Sequence, residues 1–522
     1  MRIIAALALL TGLAAPAAAQ TLAVGIGDAV TSIDPHYLNS PTNKNVICNI
    51  FDGLTDADNT IGIIPSLAES WRLIDDTTWE FKLRPGVKFH DGTPLTADDV
   101  RASYLRVPRV PNAPQPFTTY IRLVKEIQVI DARTVRMTTN GLDPILPNEA
   151  VQIRIIQASK ADSPTDDFNN GKAAIGTGPM RFVSYQPGLG MELARNDAYW
   201  GTKPHWEKAS FRIISDGASR VAALLAGDVQ VIDLVPSDAL SQLRSNNKMR
   251  VASAELGLRY IFLALDQSRD GPTPFVTGPN GEILDKNPLM DVRVRRALSI
   301  AINRPAIVER VMEGVATATG QMVPVGTFGW TPEIKVPAFD PDQAKKLLAE
   351  AGYPNGLRVT IHSTKGRYVN DTRVVQAVAQ MWQRIGVQAS IELQPWSTYA
   401  SRVHRREYSI MIGAVAAVTS ESSQVLRSAM GTYDPPNGWG GFNWGRYSNP
   451  ALDALVTRAA NIADNTQREL VLRQAMTMGT NDVGNIPLHL QKTTWAMQRT
   501  LTYAGRSDDQ TRVADIRPAA AD

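Results

Sequence analysis

The chain has 522 residues, with 54 Lys and Arg against 51 Asp and Glu, for a formal charge of +3. Charges of both signs are dispersed, so the clustered basic footprint of a nucleic-acid partner is absent from the sequence. Cys48 is the only cysteine, which excludes an intrachain disulfide, and the length exceeds one hydrophobic core, so at least two domains are expected.

In chain order, Arg2 opens a short charged region and residues 3–13 are apolar. Ala17, Ala18 and Ala19 form a small-residue cleavage site that leaves Gln20 as the mature N-terminus. The apolar run is too short to span a membrane, and no cysteine follows the cleavage site to carry a lipid. A signal peptide over residues 1–19 and a periplasmic address are therefore expected. Residues 21–28 read as a first strand, 31–37 as an irregular loop and 43–51 as a helix. Val46, Ile50, Phe51 and Leu54 surround Cys48 and predict a buried, inert thiol.

Residues 67–100 are the most informative stretch. Trp79, Phe81 and Leu83 alternate with Glu80, Lys82 and Arg84, the period of a half-buried strand. Pro85 and Gly86 make a turn, Val87 and Phe89 restore an apolar face as a second strand, and Asp91 and Gly92 make a second turn. Thr96 then caps a helix with Asp99 three residues on. Gly176, Thr177, Gly178 and Pro179 lack the Lys-Ser/Thr of a phosphate loop, so their glycines are assigned to backbone geometry. A helix over 215–226 ends at Gly227. Residues 260–265 read as a strand and 270–288 as a Gly/Pro-rich exit from the first domain.

The second half alternates helix and strand. Val294, Ala297, Leu298 and Ala301 share one face of a helix, with Arg293, Arg295 and Arg296 expected on a solvated face. Asp340 as cap, Pro341 at the first position and Gly352 as stop define another helix. A helix over 370–385 carries Val374, Val375, Val378 and Trp382 on one stripe. Val387, Ala389, Ile391 and Leu393 alternate after it as a strand. This succession implies a second α/β domain. Residues 433–444 combine Tyr433, Trp439, Phe442 and Trp444 with glycines and prolines, without a period that would bury them as a helix face. Such a loop is a candidate ligand surface through Tyr433, Trp439 and Asn443. For catalysis the sequence offers little. Its six histidines are scattered without HxH or HExxH spacing, and there is no G-x-S-x-G elbow, so neither an enzyme nor a protein-built metal site is expected.

Ala68-Glu69-Ser70-Trp71, then Trp79, Phe81, Leu83-Arg84, Gly86-Val87, Phe89 and Asp91-Gly92, then Leu95-Thr96-Ala97 and Asp99-Val100 resemble the signature of bacterial solute-binding proteins of family 5. These are the peptide, dipeptide and nickel-chelate receptors of ABC importers. The resemblance extends to Gly176-Thr177-Gly178-Pro179, to the Asp291–Val308 pattern and to Asn485-Ile486-Pro487-Leu488-His489-Leu490. It implies an α/β, two-lobed periplasmic binding protein fold (type II, Venus-flytrap) with an extra subdomain in lobe one. The implied limits are lobe one over 20–51, 175–265 and 485–522, its subdomain over 52–174, and lobe two over 266–484.

It further implies a monomer that binds a peptide or small-molecule ligand without a cofactor and hands it to an inner-membrane ABC permease. Leu38, Ser40 and Asn43 would line the cleft from lobe one. Arg367, Tyr368, Trp396 and Tyr399 would do so from lobe two, Arg367 gripping a ligand carboxylate as a bidentate donor. Dipeptide-binding members carry a GWxxDxxDP-like run whose first Asp pairs with the ligand's amino group. Here residues 413–421 place Ala414 at the Trp, Ala417 at that Asp and Ser420 at the second Asp. A buried charge that loses its partner costs about 3–5 kcal/mol. Either Glu421 substitutes from a shifted loop, or the ligand has no amine held in that manner, as for a metal chelate, opine or glycoside.

Overall fold

The computed structural model describes residues 20–27, 30–114 and 116–520, so the expected signal peptide lies outside the described residues. Two seven-stranded sheets organise the chain. The first runs, in spatial order, Met249–Ser253, Thr494–Gln498, Val231–Ile232, Thr21–Ile26, Lys208–Ile213, Gly190–Arg195 and Met180–Gln186. The second runs Val276–Thr277, Leu357–Thr364, Ile410–Ala416, Arg259–Leu265, Ile486–Gln491 and Ala316–Ala318, with Val387–Gln394 added beside Leu357–Thr364. Strands Ala68–Asp75, Thr78–Leu83, Thr134–Thr139 and Val124–Asp131 form a separate antiparallel sheet, the subdomain of the first lobe.

Local chemistry accounts for these elements. The helix Ala97–Arg106 begins where the Asp99 carboxylate accepts from Thr96 N at 2.8 Å, the expected reciprocal cap. The helix Pro341–Glu350 begins where Asp340 accepts from Gln343 N at 2.8 Å, and its Gly352 has φ +96°. Leu357–Thr364, Asp371–Gln383 and Val387–Gln394 make a parallel strand–helix–strand unit. Its helix buries Val374, Val375, Val378 and Trp382 on the sheet. Trp382 is fully buried because its indole N–H donates to Leu298 O at 2.9 Å. A Cβ on Gly178 would stand 2.6 Å from Ile50 O, and one on Gly176 would collide with the same carbonyl, so this pair serves a close backbone approach. Cys48 is buried and its thiol is pushed up to about 11 by burial.

Three expectations change. Val87 and Phe89 are buried but form no strand; an isolated bridge from Lys88 to Pro94 closes that turn. Arg295 is not solvated: its guanidinium is buried and donates to the carbonyls of Val483, Leu289, Met290 and Asp482, tying a helix end to the chain beyond another. The lobe limits also move. Arg259–Leu265 and Ile486–Gln491 pair with each other inside the second sheet, so they belong to lobe two rather than lobe one.

The chain changes sheet at 254–258 and again at Lys492 and Thr493. These two crossings run side by side. Ser253 pairs with Thr494 on the first-sheet side, and Arg259 pairs with Gln491 on the second-sheet side. Ala254 N donates to Thr493 O at 2.9 Å between them. A Cβ on Gly257 would lie 2.8 Å from the carbonyl oxygens of both Leu490 and Gln491, which is how closely the crossings approach. Paired short segments joining two sheets are the construction of a hinge.

Candidate functional site

Strand direction locates the cleft. In lobe two the parallel strands Leu357–Thr364, Val387–Gln394 and Ile410–Ala416 all end on the edge where the crossings enter. In lobe one Thr21–Ile26, Lys208–Ile213 and Val231–Ile232 also end toward the crossings. Ligands of open α/β sheets bind beyond the carboxyl ends of strands. The segments 364–370, 394–399 and 416–421 therefore face those at 30–45 and 233–237. The two bodies touch on both flanks of this gap. Ser237 Oγ meets Asn370 Oδ1 at 2.9 Å on one side. On the other, Asn148 Nδ2 donates to Thr419 O at 2.8 Å, and Ser420 Oγ donates to Ile61 O.

On the lobe-two edge the structure brings together Arg367, Tyr368 and Trp396. The exposed Arg367 guanidinium lies 5.1 Å from the Trp396 ring, and Trp396 itself is 39% exposed at the start of the helix Trp396–His404. Asp371 holds this corner: its carboxylate accepts from Gly366 N, Arg367 N, Tyr368 N and Thr364 Oγ1. Tyr368 is buried, and Tyr399 is fully buried with its hydroxyl donating to Ile412 O at 2.6 Å. Arg367 and Trp396 thus have side chains free for a ligand, whereas Tyr399 supports them from beneath.

In lobe one the opening loop is built by its own polar groups. Asn43 is buried; its Oδ1 accepts from Thr31 N and Thr31 Oγ1, and its Nδ2 donates to Ser32 O at 3.0 Å. Ser40 caps the helix Pro41–Ile47 by accepting from Asn43 N at 3.3 Å. Both residues shape the loop, Asn43 from a buried position with both lone pairs of its Oδ1 and one of its two amide N–H groups engaged within it. The loop is anchored below by Asp34, which pairs with Arg106 at 2.6 Å.

A residue without a sequence signal stands out on this wall. Lys44 Nζ donates to Gln152 Oε1 at 2.7 Å and lies 5.5 Å and 5.3 Å from the rings of Phe117 and Tyr120. No carboxylate pairs with it among the described residues. Burial, aided by nearby Arg154, lowers its ammonium to about 7. Gln152 Nε2 in turn reaches Val418 O of lobe two at 3.5 Å, so Lys44 sits beside the seam.

The aromatic loop divides. Asn443 is buried, donating to Gly431 O and Tyr447 O and accepting from Tyr447 N, so it braces its own loop. Tyr433 stacks under Arg446, with the guanidinium 3.2 Å from its ring centroid. Gly445 beside it accepts from Gln267 N, beyond the strand end farthest from the crossings. Tyr433 is exposed beside the Asp434–Trp439 bridge, and Trp444 packs inward at 6.3 Å from Tyr399. Trp439 alone of the three candidates faces a partner surface, a cavity shared with the subdomain. Ala417 is fully buried and offers no charge, and Glu421 is spent in an ion pair with Arg468, so Glu421 does not replace the missing carboxylate.

Comparison with known proteins agrees with this geometry. The profile of bacterial extracellular solute-binding proteins, family 5 Middle, matches residues 62–437. Heme-binding protein A of Haemophilus influenzae is 28% identical over 456 residues, covering 82% of this chain and 78% of that protein. Glutathione-binding protein GsiB of Escherichia coli (strain K12) is 27% identical over 494 residues, covering 93% and 92%. Among solved structures, the ABC transporter-associated periplasmic binding protein DppA from Helicobacter pylori, in complex with peptide STSA, superposes with a TM-score of 0.73 at 23% identity. It covers 95% of this chain and 98% of that one.

Proposed function

Since the chain belongs to the bacterial extracellular solute-binding proteins of family 5, we propose that it is the periplasmic receptor of an ABC importer. It captures a peptide or peptide-sized solute between its lobes and delivers it to an inner-membrane permease. The observation that carries this reading is the pair of adjacent crossings joining two α/β sheets whose strand ends face one gap. Ligand contacts from both lobes favour the closed state, and that differential affinity is what a permease can sense. The receptor works as a monomer in the periplasm and needs no cofactor. It holds its cargo without transforming it. No helix among the described residues is long and apolar enough to cross a membrane. Arg367 over Trp396, with Lys44 across the seam, suits a solute that carries a carboxylate and an apolar body.

A second reading, a non-peptide solute such as a metal chelate, an opine or a glycoside, is favoured by one specific feature: Ala417 leaves its position without a charge for an amino group. Native mass spectrometry of the protein purified from periplasm tests both. A single retained small molecule, released unchanged on denaturation, is expected, and its mass separates peptide from chelate. Release of a chemically altered molecule on incubation would contradict the receptor reading.

A further inference from the structure

The two crossings are not the only chain at the hinge. Beyond the strand Thr494–Gln498 the backbone turns back, and residues 505–511 lie against both of them. A Cβ on Gly505 would stand 2.6 Å from the carbonyl carbon of Ser253, where the first crossing leaves lobe one. Ser507 is 1% exposed, and its Oγ accepts from Leu256 N, in the middle of that crossing, at 3.1 Å. Asp509 divides its carboxylate between the crossings. Its Oδ1 accepts from Thr493 Oγ1 in the second, and its Oδ2 lies 3.7 Å from the guanidinium of Arg259, where the first enters lobe two.

This segment is itself fixed to lobe one. The buried Arg506 donates to Ala57 O at 2.7 Å and to Asn59 Oδ1 at 2.9 Å, and Ser507 N donates to Asn59 O at 3.0 Å. Thr511 N donates to Asn45 Oδ1, Asn49 Nδ2 donates to Thr511 O at 3.2 Å, and Trp495 Nε1 donates to Thr511 Oγ1 at 2.9 Å. Between these anchors Asp509 has φ +63°, a left-handed backbone that a residue with a Cβ keeps only where its surroundings impose it.

The same anchor reaches the cleft. Asn59 and Ile61 belong to one turn, between the strands Thr55–Ala57 and Ile63–Pro65. That turn holds the 505–511 segment through Asn59 and meets Ser420 of lobe two through Ile61 O. The bonds to the crossings are therefore made in the arrangement in which the lobes touch. Leu256 and Thr493 lie where the backbone must rotate for the lobes to part, and Arg259 lies beyond that point. Bonds from a segment that is rigid with lobe one bias the hinge toward the setting in which they form.

We propose that residues 505–511 brace the hinge in its closed setting, with Ser507 and Asp509 as positioning residues that set how long a captured solute is held. The proposal rests on the receptor reading and adds to it a control of lifetime that acts through the crossings, not through contact with the solute.

The test uses the full-length mature protein purified from periplasm, with the mass it retains as the probe. Native mass spectrometry after dilution follows loss of that mass, and hydrogen exchange follows the cleft edge of lobe two at 416–421, which neither side chain touches. Ser507→Ala and Asp509→Ala each remove about one hydrogen bond's worth of bias. Loss of the retained mass and exchange at 416–421 should both quicken by about 3-fold to 10-fold. Ser507→Thr, which keeps the hydroxyl, should restore both rates. Asp509→Asn keeps the acceptor for Thr493 and loses only the charge facing Arg259. It should match the unaltered protein in about 1 M salt, which screens an exposed pair, whereas Ser507→Ala should not. Unaltered rates in both alanine variants overturn the proposal. Faster exchange spread evenly over both sheets, with a lower melting temperature, overturns it too, because the segment would then merely hold the fold together. If the unaltered protein retains no mass, the receptor reading is the one that fails, and exchange at 416–421 still decides the brace.

Discussion

Replacing Arg106 with Leu should be the most damaging single change to the wall of the cleft that does not touch a ligand. Arg106 and Asp34 are buried, with 3% and 0% of their side chains exposed. The guanidinium donates to both carboxylate oxygens, at 2.7 and 2.6 Å, and lies 4.5 Å from the Phe168 ring. Asp34 also accepts from His36 N at 3.0 Å and Thr165 Oγ1 at 2.9 Å. Leaving a buried carboxylate without its cation costs about 3–5 kcal/mol. The two surviving donors argue for the lower end, about 3 kcal/mol.

The pH dependence has a definite sign. Burial alone would raise the Asp34 carboxyl, but the Arg106 guanidinium more than offsets this and holds it below its usual value. The pair's contribution is therefore fully present above the unfolded carboxylate value, near pH 4, and is lost as pH falls through the lower folded value. Urea unfolding followed by tryptophan fluorescence should show a drop of about 3 kcal/mol in Arg106→Leu at pH 7 that shrinks at pH 3. The Asp34→Asn, Arg106→Leu double variant should recover part of the loss. A loss below about 1 kcal/mol at pH 7, or an equal loss at pH 3, would refute the assignment of this pair as the anchor of the loop.

Lys44→Met removes an ammonium that burial disfavours, so it should raise the melting temperature at pH 6. Because the folded Lys44 value is depressed to about 7 from 10.5, the advantage is greatest below pH 7 and closes toward pH 10. Calorimetry across that range checks the sign. Gly257→Ala places a methyl 2.8 Å from two carbonyls in the hinge and should destabilise by roughly 1–3 kcal/mol, read in the same calorimeter. Arg367→Ala, at an exposed position, should leave the melting temperature unchanged. By titration calorimetry it should weaken binding of a carboxylate-bearing cargo by about 10-fold or more. An unchanged affinity would remove Arg367 from the site.

Much of the fold was legible because it rests on local chemistry. The Thr96–Asp99 cap, the Asp340, Pro341 and Gly352 punctuation and the stripe ending in Trp382 are short-range signals, and each forms as read. Sheet membership was not legible. Arg259–Leu265 and Ile486–Gln491 are almost entirely buried apolar strands, and an apolar run does not state which sheet it joins. Polar side chains were misjudged where the bonds that consume them come from distant segments. Arg295 gives its donors to carbonyls as far away as Val483, and Asn43 spends its amide inside a loop. Lys44 and Asp143 had no signal at all, because their isolation is a fact of three-dimensional surroundings: two rings around one, and a buried oxygen without a hydrogen-bond partner in the other.

The most direct test of the account is small-angle X-ray scattering on the mature protein, stripped of cargo by partial unfolding and refolding and then returned to the molecule it retains from the periplasm. Two bodies turning about the crossings at 254–258 and 492–493 predict a smaller radius of gyration with cargo bound, and no such change for a Gly257→Ala protein whose hinge is blocked. An unchanged radius at saturating, stoichiometric cargo would contradict closure as the way this chain recognises its ligand.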